Sequence, residues 1–196
     1  MEIEVKFYLH HLEEIRERLI VLGGRKITDR HLEHNLRFDT PDRVLAGKKQ
    51  VLRLRQDNRA TLTVKGPLGQ LETREEFEIE IDDFATGRKI LDALGYTVTT
   101  VYEKYRETYQ IDPVQVMLDE LPFGCFVEIE GPSIESIRQM SDRLGLPWER
   151  RVQASYLELF DRIRRPLHLE LVEGTFKQFE GLPPVDPELL GLIQVD

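Results

Sequence analysis

The chain of 196 residues has a single cysteine, Cys125, so no disulfide can form within it. No apolar run approaches the roughly 18 residues that mark a membrane-spanning helix. The first residues lack the charged-then-apolar layout of a secretory signal, and a cytoplasmic location is expected. Basic residues are in deficit: 27 Lys and Arg against 36 Asp and Glu give a net charge of -9. That balance argues against a long nucleic-acid footprint or adhesion to an anionic membrane. A small polyanion held by a local group of cations remains compatible with it. Gly47-Lys48-Lys49 has neither the leading glycine nor the Ser/Thr of a phosphate-binding P-loop and reads as a turn with exposed lysines. Internal repeats and low-complexity tracts are also missing. With 40% hydrophobic and 32% charged residues, the composition fits one domain, or one plus a small appendage, with a sizeable core.

What is present is a succession of short alternating stretches separated by turn residues. The patterning predicts strands at about 2–9, 33–39, 50–56, 60–65, 73–82, 98–111, 114–121 and 124–131. Thr40-Pro41-Asp42, Asp57-Asn58, Gly66-Pro67-Leu68-Gly69, Asp112-Pro113 and Pro122-Phe123-Gly124 punctuate them. Helices are predicted near 11–22, stopped by Gly23-Gly24, near 84–94, stopped by Gly95, and near 133–145 and 151–162. Tight turns imply antiparallel pairing, so the fold class is α+β. Eight strands suffice to close a barrel around one small ligand.

The charges on these strands fall in rows. Glu2, Glu4 and Lys6 alternate with Ile3, Val5 and Phe7, and successive side chains of a strand point to opposite faces, so the three charges share a side. The device returns in Arg53/Arg55, Thr61/Thr63/Lys65, Glu76/Glu78/Glu80, Lys104/Arg106 and Glu128/Glu130. Exposed charged faces are common on antiparallel sheets, and the plain alternative is that these rows face water. Two features favour the inward reading. Neighbouring positions repeat one sign, whereas solvated faces more often mix signs. The helices also need an apolar sheet surface, which Ile3/Val5/Phe7, Val51/Leu52/Leu54, Phe77/Ile79/Ile81 and Phe126/Val127/Ile129 provide. Inward carboxylates suit a hard divalent cation and inward cations suit phosphate oxygens.

The ordered set Glu2-Ile-Glu4-Val-Lys6, Leu52-Arg53-Leu54-Arg55, Val64-Lys65-Gly66, Glu76-Phe-Glu78, Lys104-Tyr-Arg106, Leu118-Asp119-Glu120 and Phe126-Val-Glu128-Ile-Glu130 resembles the CYTH superfamily, the triphosphate tunnel metalloenzymes. The resemblance spans about residues 1–162, including Ser155-Tyr156-Leu157-Glu158-Leu159 as a closing helix. It implies a closed eight-stranded antiparallel tunnel with an ionic interior and helices packed outside. It further implies that Lys6, Arg53, Arg55, Lys65, Lys104 and Arg106 bind the triphosphate, and that Glu2, Glu4, Glu128 and Glu130 hold Mg2+ or Mn2+, with Glu78 and Asp119 as further candidates. Lys6, Lys65 and Glu4 are then the expected catalytic residues. Magnesium takes only one or two carboxylates beside waters and phosphate oxygens, so some of these acids must instead hold cations in place. The resemblance implies a metal-dependent enzyme acting on a small triphosphate: a triphosphatase for inorganic triphosphate, thiamine triphosphate or a nucleoside triphosphate. The alternatives are a class IV adenylyl cyclase making cyclic AMP and pyrophosphate from ATP, and a non-catalytic polyphosphate or nucleotide binder.

Several residues carry a plainer reading. His31 and His34 flank Glu33 at a strand entry, where their spacing does not converge on one metal. Cys125 reads as a core or turn residue, and Glu76 and Glu80 as positioning or surface acids. Arg37 shares a face with Asn35 and Asp39 and stands open between a further inward cation and a surface residue. The expected organisation is a tunnel domain over 1–165 and an appendage over 166–196. In the appendage Phe176 and Phe179 share a helical face, Asp186-Pro187 forms an N-cap pair, and Leu189, Leu190, Leu192 and Ile193 demand a docking surface: the barrel exterior, a tunnel mouth or a homodimer partner.

Overall fold

The computed structural model describes residues 3–67, 74–167 and 173–192. In chain order the elements are β1 (Ile3–Leu9), α1 (Glu13–Val21), β2 (Arg25–Asp39), α2 (Val44–Gly47), β3 (Val51–Gln56), β4 (Ala60–Pro67), β5 (Arg74–Ile81), α3 (Phe84–Ala93), β6 (Thr97–Ile111), β7 (Val114–Leu121), β8 (Gly124–Gly131), α4 (Ile134–Arg143), a 3-10 turn (Trp148–Arg150), α5 (Tyr156–Arg164), β9 (Glu173–Gly174), α6 (Phe176–Phe179) and α7 (Pro187–Leu190). Hydrogen-bonded neighbours run β1-β8-β7-β6-β2-β3-β4-β5, with β9 parallel to β6 at Val101 and Tyr102. The chain divides into two compact units: residues 1–31, 104–171 and 179–196, and residues 32–103 and 172–178.

In the first unit, β1 pairs β8, β8 pairs β7 and β7 pairs β6, all antiparallel. Because side chains alternate, one face carries Phe7 and Leu9 of β1, Val114, Val116 and Leu118 of β7, and Val127 and Ile129 of β8. On it lie Ile15 and Leu19 of α1 and Ile137 and Met140 of α4. A Cβ at Gly131 would stand 2.7 Å from Val114 of β7 and 3.2 and 3.4 Å from Ser136 and Ile137 of α4, so its absence gives both elements room. The Ser133 hydroxyl caps α4 by accepting from the Ser136 N–H. The opposite face bears the charged row and ends in an aromatic group, Tyr8, Phe123, Phe126 and Tyr156, against which Leu159, Phe160 and Ile163 of α5 pack. Ser155 and Glu158 form a capping box that fixes the start of α5 at Tyr156. Phe179, Val185 and the fully buried Leu190 join the same cluster.

In the second unit, β2 pairs β3, β3 pairs β4 and β4 pairs β5, again antiparallel. Leu36, Phe38, Leu52 and Leu54 pack with Leu91 of α3. Helix α3 is capped by Asp83, whose carboxylate accepts from the Thr86 N–H at 2.6 Å. Gly87 faces the sheet so closely that a Cβ would lie 2.5 Å from Ile81. Asp39 organises the turn after β2, its carboxylate accepting from the backbone N–H groups of Thr40, Leu45 and Ala46 at 2.7, 2.9 and 3.0 Å.

The eight principal strands and their antiparallel order agree with the α+β expectation, and closure does not. Among the described residues the strand path has two ends, β1 and β5. The outer backbone edge of β1 is taken instead by Val152, whose N–H donates to the Lys6 carbonyl at 2.7 Å. Segment 151–155 is therefore extended rather than helical, and α5 begins at Tyr156. The expected helix cover of β5 is also corrected, because Phe77 and Ile79 are about 60% exposed and only Ile81 joins the core. The arrangement of helices wholly outside the charged faces is modified by α5, which packs on the charged side through Tyr8 and Phe126. Strand β2 starts at Arg25, eight residues earlier than the alternation indicated.

Candidate functional site

The first unit builds its ionic face in cross-strand rows. Strand pairing aligns Glu4 with Glu130, and Lys6 with Glu128 and then Met117. The next row aligns Tyr8, Phe126, Asp119 and Arg106. Lys6, Lys104, Asp119 and Glu128 are all buried. The sequence-predicted residues of this unit that lie in the described part thus share one face, while Glu2 falls outside the described residues.

Asp119 is the hub. Its Oδ1 accepts from Arg106 Nε at 2.6 Å, and its Oδ2 accepts from Arg106 at 2.6 Å, the Tyr156 hydroxyl at 2.8 Å and Lys104 Nζ at 3.1 Å. Arg106 also donates to Glu128 at 3.2 Å. Lys6 Nζ lies 2.6 Å from Glu4 and 3.3 Å from Glu128. Burial works to raise the Asp119 and Glu128 carboxyls, but Arg106 with Lys104, and Arg106 with Lys6, hold them well below the usual carboxylate range. Burial likewise works to lower the Lys6 ammonium, and Glu128 and Glu4 outweigh it, leaving Lys6 raised. Lys6 is therefore a fixed cation rather than a base at neutral pH.

Tyr156 is a site residue that the sequence does not reveal, since nothing in a helix start shows what a tyrosine will reach. Its ring faces Lys6 Nζ at 5.5 Å and Lys104 Nζ at 5.4 Å while its hydroxyl holds Asp119. Burial first, then Asp119 and Glu128, push its phenol well above the ordinary value, so it stays a neutral donor. Glu107 is a second buried acid that sequence reasoning passed over. It lies on the apolar face, held by the Tyr109 hydroxyl at 2.5 Å and Arg16 at 3.1 Å, and ties α1 to the sheet.

Glu4 and Glu130 stand opposite each other on paired strands, a placement compatible with a divalent cation. Like charges directly opposite on paired strands repel, Glu4 is half exposed, and Glu130 is partly exposed, leaving access for coordinating water. Asp119, by contrast, already accepts from three side chains.

In the second unit, register places Arg37, Arg53, Thr63 and Glu78 in one row and Asn35, Arg55, Thr61 and Glu80 in the next. Glu78 serves both arginines, at 3.4 Å from each, and accepts from the Thr63 hydroxyl at 2.7 Å. Arg55 also lies 3.8 Å from buried Glu33 and 3.3 Å from Asp57, two acids whose oxygens stand within 4.8 Å of each other. Lys65 pairs with Glu76 at 3.5 Å, and Glu80 pairs with Arg59 at 3.1 Å near the surface. His34 Nδ1 lies 3.0 Å from the Glu103 carboxylate, and His31 Nδ1 meets the Asp29 carbonyl at 2.9 Å.

Comparison with known proteins places this arrangement. Adenylate cyclase CyaB of Aeromonas hydrophila is 30% identical over 132 residues, 65% of this chain and 67% of that protein. A solved protein of Pyrococcus horikoshii is 29% identical with a TM-score of 0.67, over 84% of this chain and all of the other. A candidate adenylate cyclase of Vibrio parahaemolyticus shares the fold with a TM-score of 0.73 at 21% identity, over 82% and 97% of the two chains. The CYTH domain family model matches residues 1–137. Together with the buried ionic rows, that match shows that the chain belongs to the CYTH family.

Proposed function

We propose that this protein is a divalent-metal-dependent triphosphatase acting on a small triphosphate: inorganic triphosphate, thiamine triphosphate or a nucleoside triphosphate. The observation that carries the reading is the burial of Lys6 and Lys104 beside Asp119 and Glu128 on one strand face, an arrangement too costly to retain for solvation alone. Lys6, Lys104 and Arg106 in the first unit, and Arg53, Arg55 and Lys65 in the second, bind phosphate oxygens. Asp119 and Tyr156 position the first group, and Glu78 positions Arg53 and Arg55. Glu4 and Glu130 hold Mg2+ or Mn2+, with Glu2 and Glu128 as further oxygen donors. The bound metal supplies charge neutralisation and a water of lowered pKa.

The protein's own residues then orient and stabilise. Phosphoryl transfer needs little covalent chemistry, and fixed cations that meet charge on the equatorial and leaving oxygens supply much of the rate. Lys6 suits that task because Glu4 and Glu128 keep it protonated. Hydrolysis asks only for these elements. A class IV adenylyl cyclase, in which the ribose hydroxyl attacks the α-phosphorus and pyrophosphate leaves, is the second reading, favoured by the Aeromonas relative. Glu4→Gln and Glu130→Gln test the metal assignment. Each is expected to abolish metal-dependent turnover of inorganic triphosphate while circular dichroism stays that of the parent. Retention of full metal-dependent activity in both variants would refute it.

A further inference from the structure

Arg37 stands directly opposite Arg53 in the β2–β3 pairing, on the face that carries Arg55, Thr61 and Thr63. Like charges in that relation repel unless something neutralises them. Arg53 donates through one terminal nitrogen to Thr63 at 3.2 Å and Glu78 at 3.4 Å, while its buried Nε has no hydrogen-bond partner among the described residues. Arg37 makes no side-chain hydrogen bond or ion pair with a carboxylate among the described residues. Its acidic neighbour Asp39 has both oxygens committed to the backbone N–H groups of Thr40, Leu45 and Ala46. Burial first, and then Arg53 and Arg43, push the Arg37 guanidinium below its ordinary value, with Tyr102 and Asp39 offsetting only part.

The adjacent row repeats the imbalance with neutral groups. Asn35 is fully buried opposite Arg55, and among the described residues neither its amide nitrogen nor its amide oxygen has a hydrogen-bond partner. The hydroxyl of Thr61, paired with Arg55 on the other side, is likewise buried and without one. Native proteins satisfy nearly all such groups. Arg37 and Asn35, two residues apart on one face of β2, offer a forked cation and an amide donor side by side, a pair that matches the oxygens of a phosphoryl group.

We infer that Arg37 is a substrate-binding cation beyond Arg53, Arg55 and Lys65, taking phosphoryl oxygens of the triphosphate with Asn35 as a neutral donor beside it. The inference rests on the triphosphate reading above. It gives Arg37 a signature that a structural arginine would lack: its charge opposes the ligand-free fold and favours the liganded one.

The test is steady-state kinetics with inorganic triphosphate and Mg2+ or Mn2+, together with ligand-free melting temperatures, for the parent, Arg37→Gln, Arg37→Lys and the exposed control Arg88→Gln. Arg37→Gln is expected to raise KM about tenfold with kcat within about twofold, as loss of a charge-assisted contact to bound substrate predicts. Its ligand-free Tm should equal or exceed that of the parent. Arg37→Lys should recover part of the KM, and Arg88→Gln should change nothing. A parental KM in Arg37→Gln, or a lowered Tm with the loss falling on kcat alone, would overturn the inference. Failure of the unmutated protein to process any triphosphate would instead bring down the functional reading itself, before any variant is compared.

Discussion

Asp119 shows how much of the ionic face depends on single side chains. It is completely buried, and its charge is tolerated because Arg106, Lys104 and Tyr156 all donate to it. Removing that charge takes from Lys104 and Arg106 the buried carboxylate to which both donate, so Asp119→Asn is expected to destabilise the fold by about 3–5 kcal/mol, read as a fall in denaturation midpoint. The pH dependence has the same origin. Asp119 and Glu128 have folded-state pKa values below those of the unfolded chain, so their contribution is complete above about pH 5 and is lost as pH falls from there through the folded values. Melting temperature should therefore drop steeply under acid conditions, and a Tm flat from pH 6 to pH 3 would contradict the pairing. Tyr156→Phe keeps the ring against Lys6 and Lys104 and removes only the hydroxyl. It should cost about 1 kcal/mol of stability and lower turnover by loosening Asp119, whereas parental kinetics would remove Tyr156 from the positioning role. At this scale the sequence was informative where period-two alternation fixes direction: Glu4, Lys6, Arg106 and Glu128 share one face of the first unit's sheet, and Arg53 and Arg55 share one face of the second's. Tyr156, Glu33 and Glu107 were not legible, because what a buried polar group touches depends on elements distant in the chain.

Among the elements, β1 and α5 define the first unit's site from two sides. Strand β1 supplies Glu4, Lys6 and Tyr8, while Val152, just before α5, closes its outer edge at Lys6. That extended segment explains why a helix from residue 151 was the wrong reading: backbone pairing with β1 outweighed local helical pattern. The early start of β2 was hidden for a different reason, since residues 25–30 are mostly exposed on both faces and show no alternation. The cap at Asp186 was visible in the sequence because it depends on local contacts alone, and Asp83 and Ser133 cap their helices in the same local way. We propose that residues 166–196 form a docked appendage. In the first unit its described part seats Phe179, Val185 and Leu190 against Phe123 and Phe160, and Arg162 donates to the Leu190 carbonyl at 2.5 Å. Leu190→Ala should therefore cost about 2–5 kcal/mol, as large-to-small changes at filled core positions do. An unchanged unfolding midpoint would show that the appendage does not contribute to that core.

For the molecule as a whole, an acidic chain with a net charge of -9 concentrates cations on strand faces that its own carboxylates hold in place. Such a distribution favours a compact polyanion over an extended one, because the surrounding negative field repels a long strand while the local cations compensate a short triphosphate. Family membership, the buried ionic rows and the access at Glu4 and Glu130 converge on metal-dependent triphosphate chemistry. The most direct measurement is a product assay on the unmutated protein with Mg2+ or Mn2+, supplying inorganic triphosphate, thiamine triphosphate and ATP separately and quantifying phosphate, pyrophosphate and cyclic AMP. The account predicts metal-dependent release of phosphate from at least one of these substrates without cyclic AMP. Cyclic AMP with matching pyrophosphate from ATP would contradict the triphosphatase assignment in favour of a cyclase, and no metal-dependent product from any of the three would contradict the catalytic reading altogether.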